Sequence, residues 1–237
     1  MKLSIVIPCY NESANIPTLL KRFSEVIGSR HIQVILVNNG STDNTPEVLQ
    51  MLLPQYLFAK SVYVPVNRGY GFGIIQGLRE ADGDYIGWTH ADLQTDPKDV
   101  VRAYNIIKKY GDEKIYIKGR RNGRTFFDNF FTKGMSLFES IYFRTSLRDI
   151  NAQPNVFPKQ FLTYCDNPPY DFALEIYALY MAKKYGLKVV RFAVEFQDRI
   201  YGKSKWNTGV LAKLKFIKRT VKYSVDLKKT MRKGEKN

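Results

Sequence analysis

Between His90 and Pro97 the chain reads His-Ala-Asp-Leu-Gln-Thr-Asp-Pro, a short segment rich in hard donor atoms. Asp92 offers a carboxylate and Gln94 an amide oxygen, and alternate residues of an extended segment project to one side. Such a pair suits a divalent cation, Mg2+ or Mn2+, that fills its other positions with the oxygens of a diphosphate. His90 could add a neutral ring nitrogen to the same ion. A plainer account uses the same residues: Asp92, Thr95 and Asp96 cap the helix that Pro97 opens, and His90 simply ends a strand. The segment alone fits both accounts.

Donors in such a cluster need a rigid edge to stand on. Leu3–Pro8 and Gln33–Val37 are continuous apolar runs, the mark of strands buried on both faces. Ser61–Val66 and Asp84–Thr89 supply a third and a fourth strand. Helical patterns follow them around Ile16–Phe23, Glu47–Leu53, Tyr70–Glu80 and Pro97–Lys109. This alternation predicts an α/β fold, a doubly wound, mostly parallel sheet flanked by helices. Ligands of such sheets bind beyond the carboxyl ends of the strands. Tyr10-Asn11-Glu12, the Asn38–Asn44 loop and the 90–97 segment all follow strands at that edge, so they converge on one site.

The second half is less regular. Phe126–Leu147 is aromatic-rich, Tyr170–Tyr185 reads as helix, Lys188–Phe196 as strand and Thr208–Lys229 as a basic helix. The expected organisation is one domain over 1–205, with 206–237 as a basic amphipathic C-terminal extension. Net charge is +15, but residues 1–100 hold 8 Lys+Arg against 10 Asp+Glu, whereas 101–237 hold 29 against 12. The second half therefore calls for an anionic partner. Val210, Leu214, Ile217, Val221 and Val225 form an apolar stripe flanked by Lys215, Lys218, Arg219 and Lys222, which fits an anionic membrane surface. Phe127, Phe130, Phe131, Phe138, Ile141 and Tyr142 recur at similar spacing. The alternative for both stretches is packing on the protein's own core.

Several classes are disfavoured. No stretch reaches the ~18 apolar residues of a membrane span, and no leader pattern opens the chain, so a cytoplasmic, peripheral protein is expected. Cys9 and Cys165 are too few for a disulfide framework and suit a reducing compartment. Nucleic acid is not expected as partner: there is no helix-turn-helix, RRM or KH pattern, and that role leaves Asp92 without a task. Gly69-x-Gly71-x-Gly73 lacks dinucleotide-binding spacing and follows the third strand rather than the first.

Pro8-Cys-Tyr-Asn-Glu12, Asn38-Asn-Gly-Ser-Thr-Asp43, Asn67-Arg-Gly69, Gly77 through Tyr85 and His90–Pro97 stand in the order found in family 2 glycosyltransferases. The chain resembles that family of GT-A fold, and Ala81–Ile86 with Ala91–Gln94 look most like the dolichyl- and polyprenyl-phosphate sugar synthases. The resemblance continues through Gly119-Arg120, Asp149, Asp171-x-x-x-Glu175 and Arg199-x-x-Gly202-x-Ser204-Lys205, covering about residues 3–205. It implies an inverting transferase that moves a sugar from a nucleotide diphosphate-sugar to a polyprenyl phosphate; extension of a surface glycan, or an inactive sugar-nucleotide-binding homologue, are the alternatives. It implies further that Pro8, Tyr10, Glu12, Asn39, Asp43, Gly69 and His90 line the nucleotide-sugar pocket. Asp92 would hold the metal, with Gln94 and His90 as further ligands. Arg120, Arg199, Ser204 and Lys205 would gather phosphate oxygens of donor and acceptor, for which guanidinium forks are well suited. Asp171 or Glu175 would serve as base only if the acceptor were a hydroxyl.

Two departures stand out. His90 replaces an Asp of the family's D-x-D triplet, which removes one carboxylate from the metal site. Asn38-Asn39 replaces a pair of Asp residues, which removes negative charge from the base pocket. Guanine presents two donors suited to a carboxylate, whereas uracil presents a donor beside an acceptor, which one amide can match. The expected donor is therefore a UDP-sugar rather than a GDP-sugar.

Overall fold

The computed structural model describes residues 1–111, 113–122, 126–197 and 210–234. The chain divides into two compact units, Met1–Gly123 with Asn151–Tyr201, and Arg124–Ile150 with Gly202–Asn237. Seven strands run β1 Leu3–Cys9, β2 Ile32–Asn39, β3 Ala59–Val64, β4 Tyr85–Trp88, β5 Ile115–Asn122, β6 Asn155–Pro158 and β7 Lys188–Glu195. The helices are α1 Ile16–Ile27, α2 Thr45–Leu52, α3 Tyr70–Arg79, α4 Pro97–Tyr110, α5 Phe126–Phe143, α6 Leu174–Lys184 and α7 Val210–Gly234.

In the first unit all seven strands form one sheet, ordered β3-β2-β1-β4-β6-β5-β7. The first four pair in parallel, as their unbroken apolar runs predict. β6 is antiparallel to both β4 and β5, and β7 is parallel to β5. Two reversals restore direction, so β5 and β7 end at the same edge as β1, β2 and β4. One face of the sheet packs Leu3, Ile5 and Ile7 against Leu19, Leu20 and Phe23 of α1 and Val100, Tyr104 and Ile107 of α4. α3 covers β1 and β2 on the other face. The first four strands lie within two residues of their expected bounds at either end. β5 and β6 were not expected: β5 carries a fully buried Lys118 in what reads as a polar stretch, and β6 has four residues.

The second unit pairs α5 with α7. Ser224 Oγ donates to Glu139 Oε1 at 2.8 Å, both side chains being wholly buried. Lys228 Nζ donates to the Tyr142 carbonyl and stands 4.1 Å from that ring's centroid. Burial pushes the Glu139 carboxyl up to about 7, and the Ser224 hydrogen bond pulls it only partly back. The stripe expected to face a membrane is half-buried at Ile217, Val221 and Val225. Ser224 falls on the same side of α7, so part of that stripe faces α5. Leu137, Phe138 and Ile141 of α5 are exposed instead. The side chains of Phe127, Phe130, Phe131, Val210 and Leu214 lie outside the described ones. No helix among the described residues is long and apolar enough to cross a membrane.

Candidate active site

The carboxyl edge of the sheet gathers three loops. After β1, Asn11 adopts a left-handed φ of 58° and locks onto the loop after β2: its backbone N–H donates to Ser41 Oγ at 3.1 Å, and its Oδ1 accepts from Thr42 N–H at 2.8 Å. Glu12 N–H donates to Thr45 Oγ1 at 3.0 Å, and Glu12 Oε2 accepts from Asn15. Asp43 takes hydrogen bonds from Ser13 Oγ at 2.6 Å and Thr45 N–H at 3.0 Å. Burial raises the Asp43 carboxyl, but these hydrogen bonds outweigh it and hold it below its usual value. Asp43 thus ties the loop after β2 to the segment after β1, and Tyr10 stands exposed at 39%.

Asn38 and Asn39 end β2, both buried. Asn38 Oδ1 accepts from Ser41 N–H at 3.1 Å, closing the turn. Asn39 Nδ2 donates to the Gly69 carbonyl at 3.0 Å, which fixes the amide orientation because a carbonyl cannot donate. Asn39 Oδ1 is then a buried acceptor with no partner among the described residues, a costly arrangement unless a ligand supplies a donor.

The 90–97 segment differs from its expected form. Leu93 has φ 59° and is wholly buried, so the chain turns there rather than running extended. The turn sets Gln94 N–H on Asp92 Oδ1 at 3.2 Å. The cap of α4 belongs to Asp96, which accepts from Lys98 N–H at 2.8 Å, and Thr95 shares a hydrogen bond with Thr89 at 3.1 Å. Helix capping therefore does not account for Asp92, which lies buried in the turn. Gln94 Nε2 donates to the Gln197 carbonyl at 3.2 Å, and Gln197 N–H returns a hydrogen bond to the Gln94 carbonyl at 3.0 Å. The Gln94 amide oxygen is the atom that could serve a cation. No group of three or more His, Cys, Asp or Glu poised for a metal occurs among the described residues. Between His90 and Gln94 the sequence supplies one carboxylate, one amide oxygen and one imidazole, donor types that suit a Mg2+ or Mn2+ completed by diphosphate oxygens.

Glu175 needs a correction. It is buried at 2% exposure; its Oε1 accepts from Tyr70 Oη (3.1 Å), Trp88 Nε1 (2.9 Å) and Gln153 Nε2, and its Oε2 from Asn155 Nδ2 (2.9 Å). The buried Lys118 Nζ stands 3.8 Å from Oε2 and donates to Asn155 Oδ1 and the Ala152 carbonyl. A carboxylate committed to so many donors is no base for an acceptor. Asp171 Oδ1 accepts from Ala173 N–H at 2.8 Å ahead of α6. Arg120 is exposed at the carboxyl end of β5. Its neighbour Arg121, not foreseen, donates to the Asn151 carbonyl at 2.6 Å and lies 3.9 Å from the Phe196 ring centroid. Arg199, Ser204 and Lys205 lie outside the described residues.

Residues 4–166 match the sequence profile of glycosyl transferase family 2. The chain belongs to that family. Family 2 relatives include the dolichol-phosphate mannosyltransferase of Pyrococcus furiosus, 28% identical over 212 residues, covering 86% of this chain and 59% of that protein. The undecaprenyl-phosphate 4-deoxy-4-formamido-L-arabinose transferase of Yersinia enterocolitica is 32% identical over 129 residues, covering 53% of this chain and 39% of that protein. The chain thus spans less than two thirds of the length of these curated relatives. Among solved structures, glucosyl-3-phosphoglycerate synthase from Mycobacterium tuberculosis, in complex with Mn2+, UDP and glucosyl-3-phosphoglycerate, superposes with TM-score 0.70 at 18% identity, covering 94% of this chain and 78% of that one. At that identity the likeness establishes the shared fold of this family 2 chain.

Proposed function

We propose that the chain transfers a sugar from a nucleoside diphosphate to a polyprenyl phosphate at the cytoplasmic face of a membrane, with Mg2+ or Mn2+ held at Asp92. The observation that carries this is Asp92 itself: buried in a turned loop at the carboxyl edge of the sheet, not needed for the α4 cap, and placed between His90 and Gln94. The bound ion would neutralise charge developing on the leaving diphosphate. Arg120 would share that task, and Arg199, Ser204 and Lys205 would gather the acceptor phosphate. That acceptor, with a second pKa near ~6, is already anionic at neutral pH and needs no base. The locked Glu175 agrees with such an acceptor, as do the lipid phosphates in the relatives' names.

Asn38 and Asn39 in place of carboxylates favour uracil over guanine, whose two donors suit a carboxylate, and Asn39 Oδ1, without a partner among the described residues, can accept from a ring N–H. UDP should bind more tightly than GDP in calorimetry with Mn2+; a clear preference for GDP overturns this assignment. The reaction is tested by supplying labelled nucleotide-sugars, a polyprenyl phosphate and Mn2+ or a chelator. Lipid-extractable label that disappears with the chelator is the expected result. No turnover of any nucleotide-sugar would sink the enzymatic reading, and label in a soluble glycan alone would move the acceptor to a hydroxyl.

A further inference from the structure

Two segments remote in sequence dock backbone to backbone at the head of α3. Gly69 has φ 118°, and a Cβ there would stand 2.3 Å from the Tyr170 carbonyl oxygen; one on Gly71 would stand 2.5 Å from that of Pro169. Only glycine permits this approach. Phe72 N–H donates to the Tyr170 carbonyl at 3.0 Å, and the Arg68 guanidinium lies 4.7 Å from the Phe72 centroid and 5.6 Å from that of Tyr170. The residue delivered between the two glycines is Tyr70. Phe172 stacks on its ring at 4.4 Å and 11°. Its hydroxyl donates to Glu175 and accepts from Gln153 Nε2 at 3.4 Å. The Tyr70 and His90 rings lie 6.0 Å apart at 33°, within the range where aromatic pairs orient each other. Asp92 is two residues further on.

We infer that Tyr70 is a positioning residue for the donor site: clamped by Phe172 and Glu175, its ring holds the His90 imidazole beside Asp92. The hydroxyl is occupied on both sides by protein, so the ring is the part that acts on its surroundings. Misplacing a group at a reacting centre by about 1 Å can cost about 10²-fold in rate. The kinetic part of the inference rests on the proposed transfer reaction; the structural part does not.

The chain has two histidines, and His31 is exposed at the opposite edge of the sheet, ahead of β2, where it serves as an internal reference. Imidazole spectra of the full chain, with and without UDP and Mn2+, read His90 directly. Tyr70→Ala should move the His90 signal and leave His31 in place. The paramagnetic broadening of His90 by UDP with Mn2+ should change. Its kcat should fall by about 10²-fold, and Tyr70→Phe, which keeps the ring, should restore both signal and rate. Should Tyr70→Ala not fold, Phe172→Leu removes the stacking partner and carries the same expectations. A His90 signal unmoved by these variants overturns the inference, as does Tyr70→Phe losing as much rate as Tyr70→Ala. If wild-type protein shows no transfer at all, the proposed reaction fails while the spectra still decide the role of Tyr70.

Discussion

Asp92 and Glu175 are both carboxylates nearly removed from solvent, but their surroundings differ. Four donors and a buried ammonium surround Glu175, so its charge is balanced from within the protein. Asp92 sits instead in a turn between His90 and Gln94, where the proposed function gives it a cation to hold. Asp92→Asn keeps the shape of that turn and removes the charge. Its kcat should fall by about 10²–10³-fold, the scale seen when one preorganised electrostatic group is lost, with thermal stability unchanged. Steady-state rates over a Mn2+ titration check this, and near-normal turnover with wild-type metal dependence would remove Asp92 from the site. The sequence could nominate Asp92 for the proposed metal role, because the donor types lie within a few neighbouring residues. It could not assign Glu175, whose partners arrive from α3, β4, β5, β6 and the segment leading into β6.

Elements whose apolar residues form unbroken runs, such as β1 and β2, were legible from sequence. β5 was not, because Lys118 interrupts the run and is accommodated in the interior by Asn155, the Ala152 carbonyl and Glu175. α5 and α7 show the same limitation. The spacing of Ile217, Val221 and Val225 defined a face correctly, but not that α5 would share it. That packing buries Glu139, whose carboxyl is raised to about 7 from an ordinary 4.5. The folded state therefore keeps the Glu139 proton to higher pH than the unfolded chain does. Stability from this group is greatest below about 4.5 and declines as pH rises towards 7. Glu139→Gln, which can still accept from Ser224, should match wild type near pH 4.5 and exceed it at pH 8. Thermal melts followed by far-ultraviolet circular dichroism across that range test the sign. Some slope should persist, since burial also raises Asp99 to about 6, with Arg102 pulling back only in part. A variant less stable than wild type at pH 8 would refute the assignment.

The charge of the molecule is as unequal as its architecture. Residues 199–237 hold 13 Lys+Arg against 2 Asp+Glu. Lys218, Lys222 and Lys229 are exposed on α7, as are Leu137, Phe138 and Ile141 on α5. If this unit meets an anionic bilayer, each cation near the surface contributes about 1 kcal/mol, and salt screens the attraction over roughly 8 Å at physiological strength. The triple variant Lys218→Glu, Lys222→Glu, Lys229→Glu should leave anionic vesicles in a sedimentation assay at low salt, where wild type pellets. Binding of UDP should be unaffected. Wild-type protein that stays in the supernatant at low salt would remove the membrane from the proposed function.

The place of β6 in the sheet has a consequence for how the chain matures. β4 ends at Trp88, yet the strand that covers its free side begins at Asn155. During synthesis the four parallel strands and α1 to α4 leave the ribosome first. They present β4 as an unpaired, apolar edge until some 70 further residues have followed, a separation fixed by the order of the strands. Such edges invite pairing with other chains, and long-range closures of this kind are slow. Fragments ending before residue 155 should accordingly aggregate, whereas chains extending past the sheet's last strand should not.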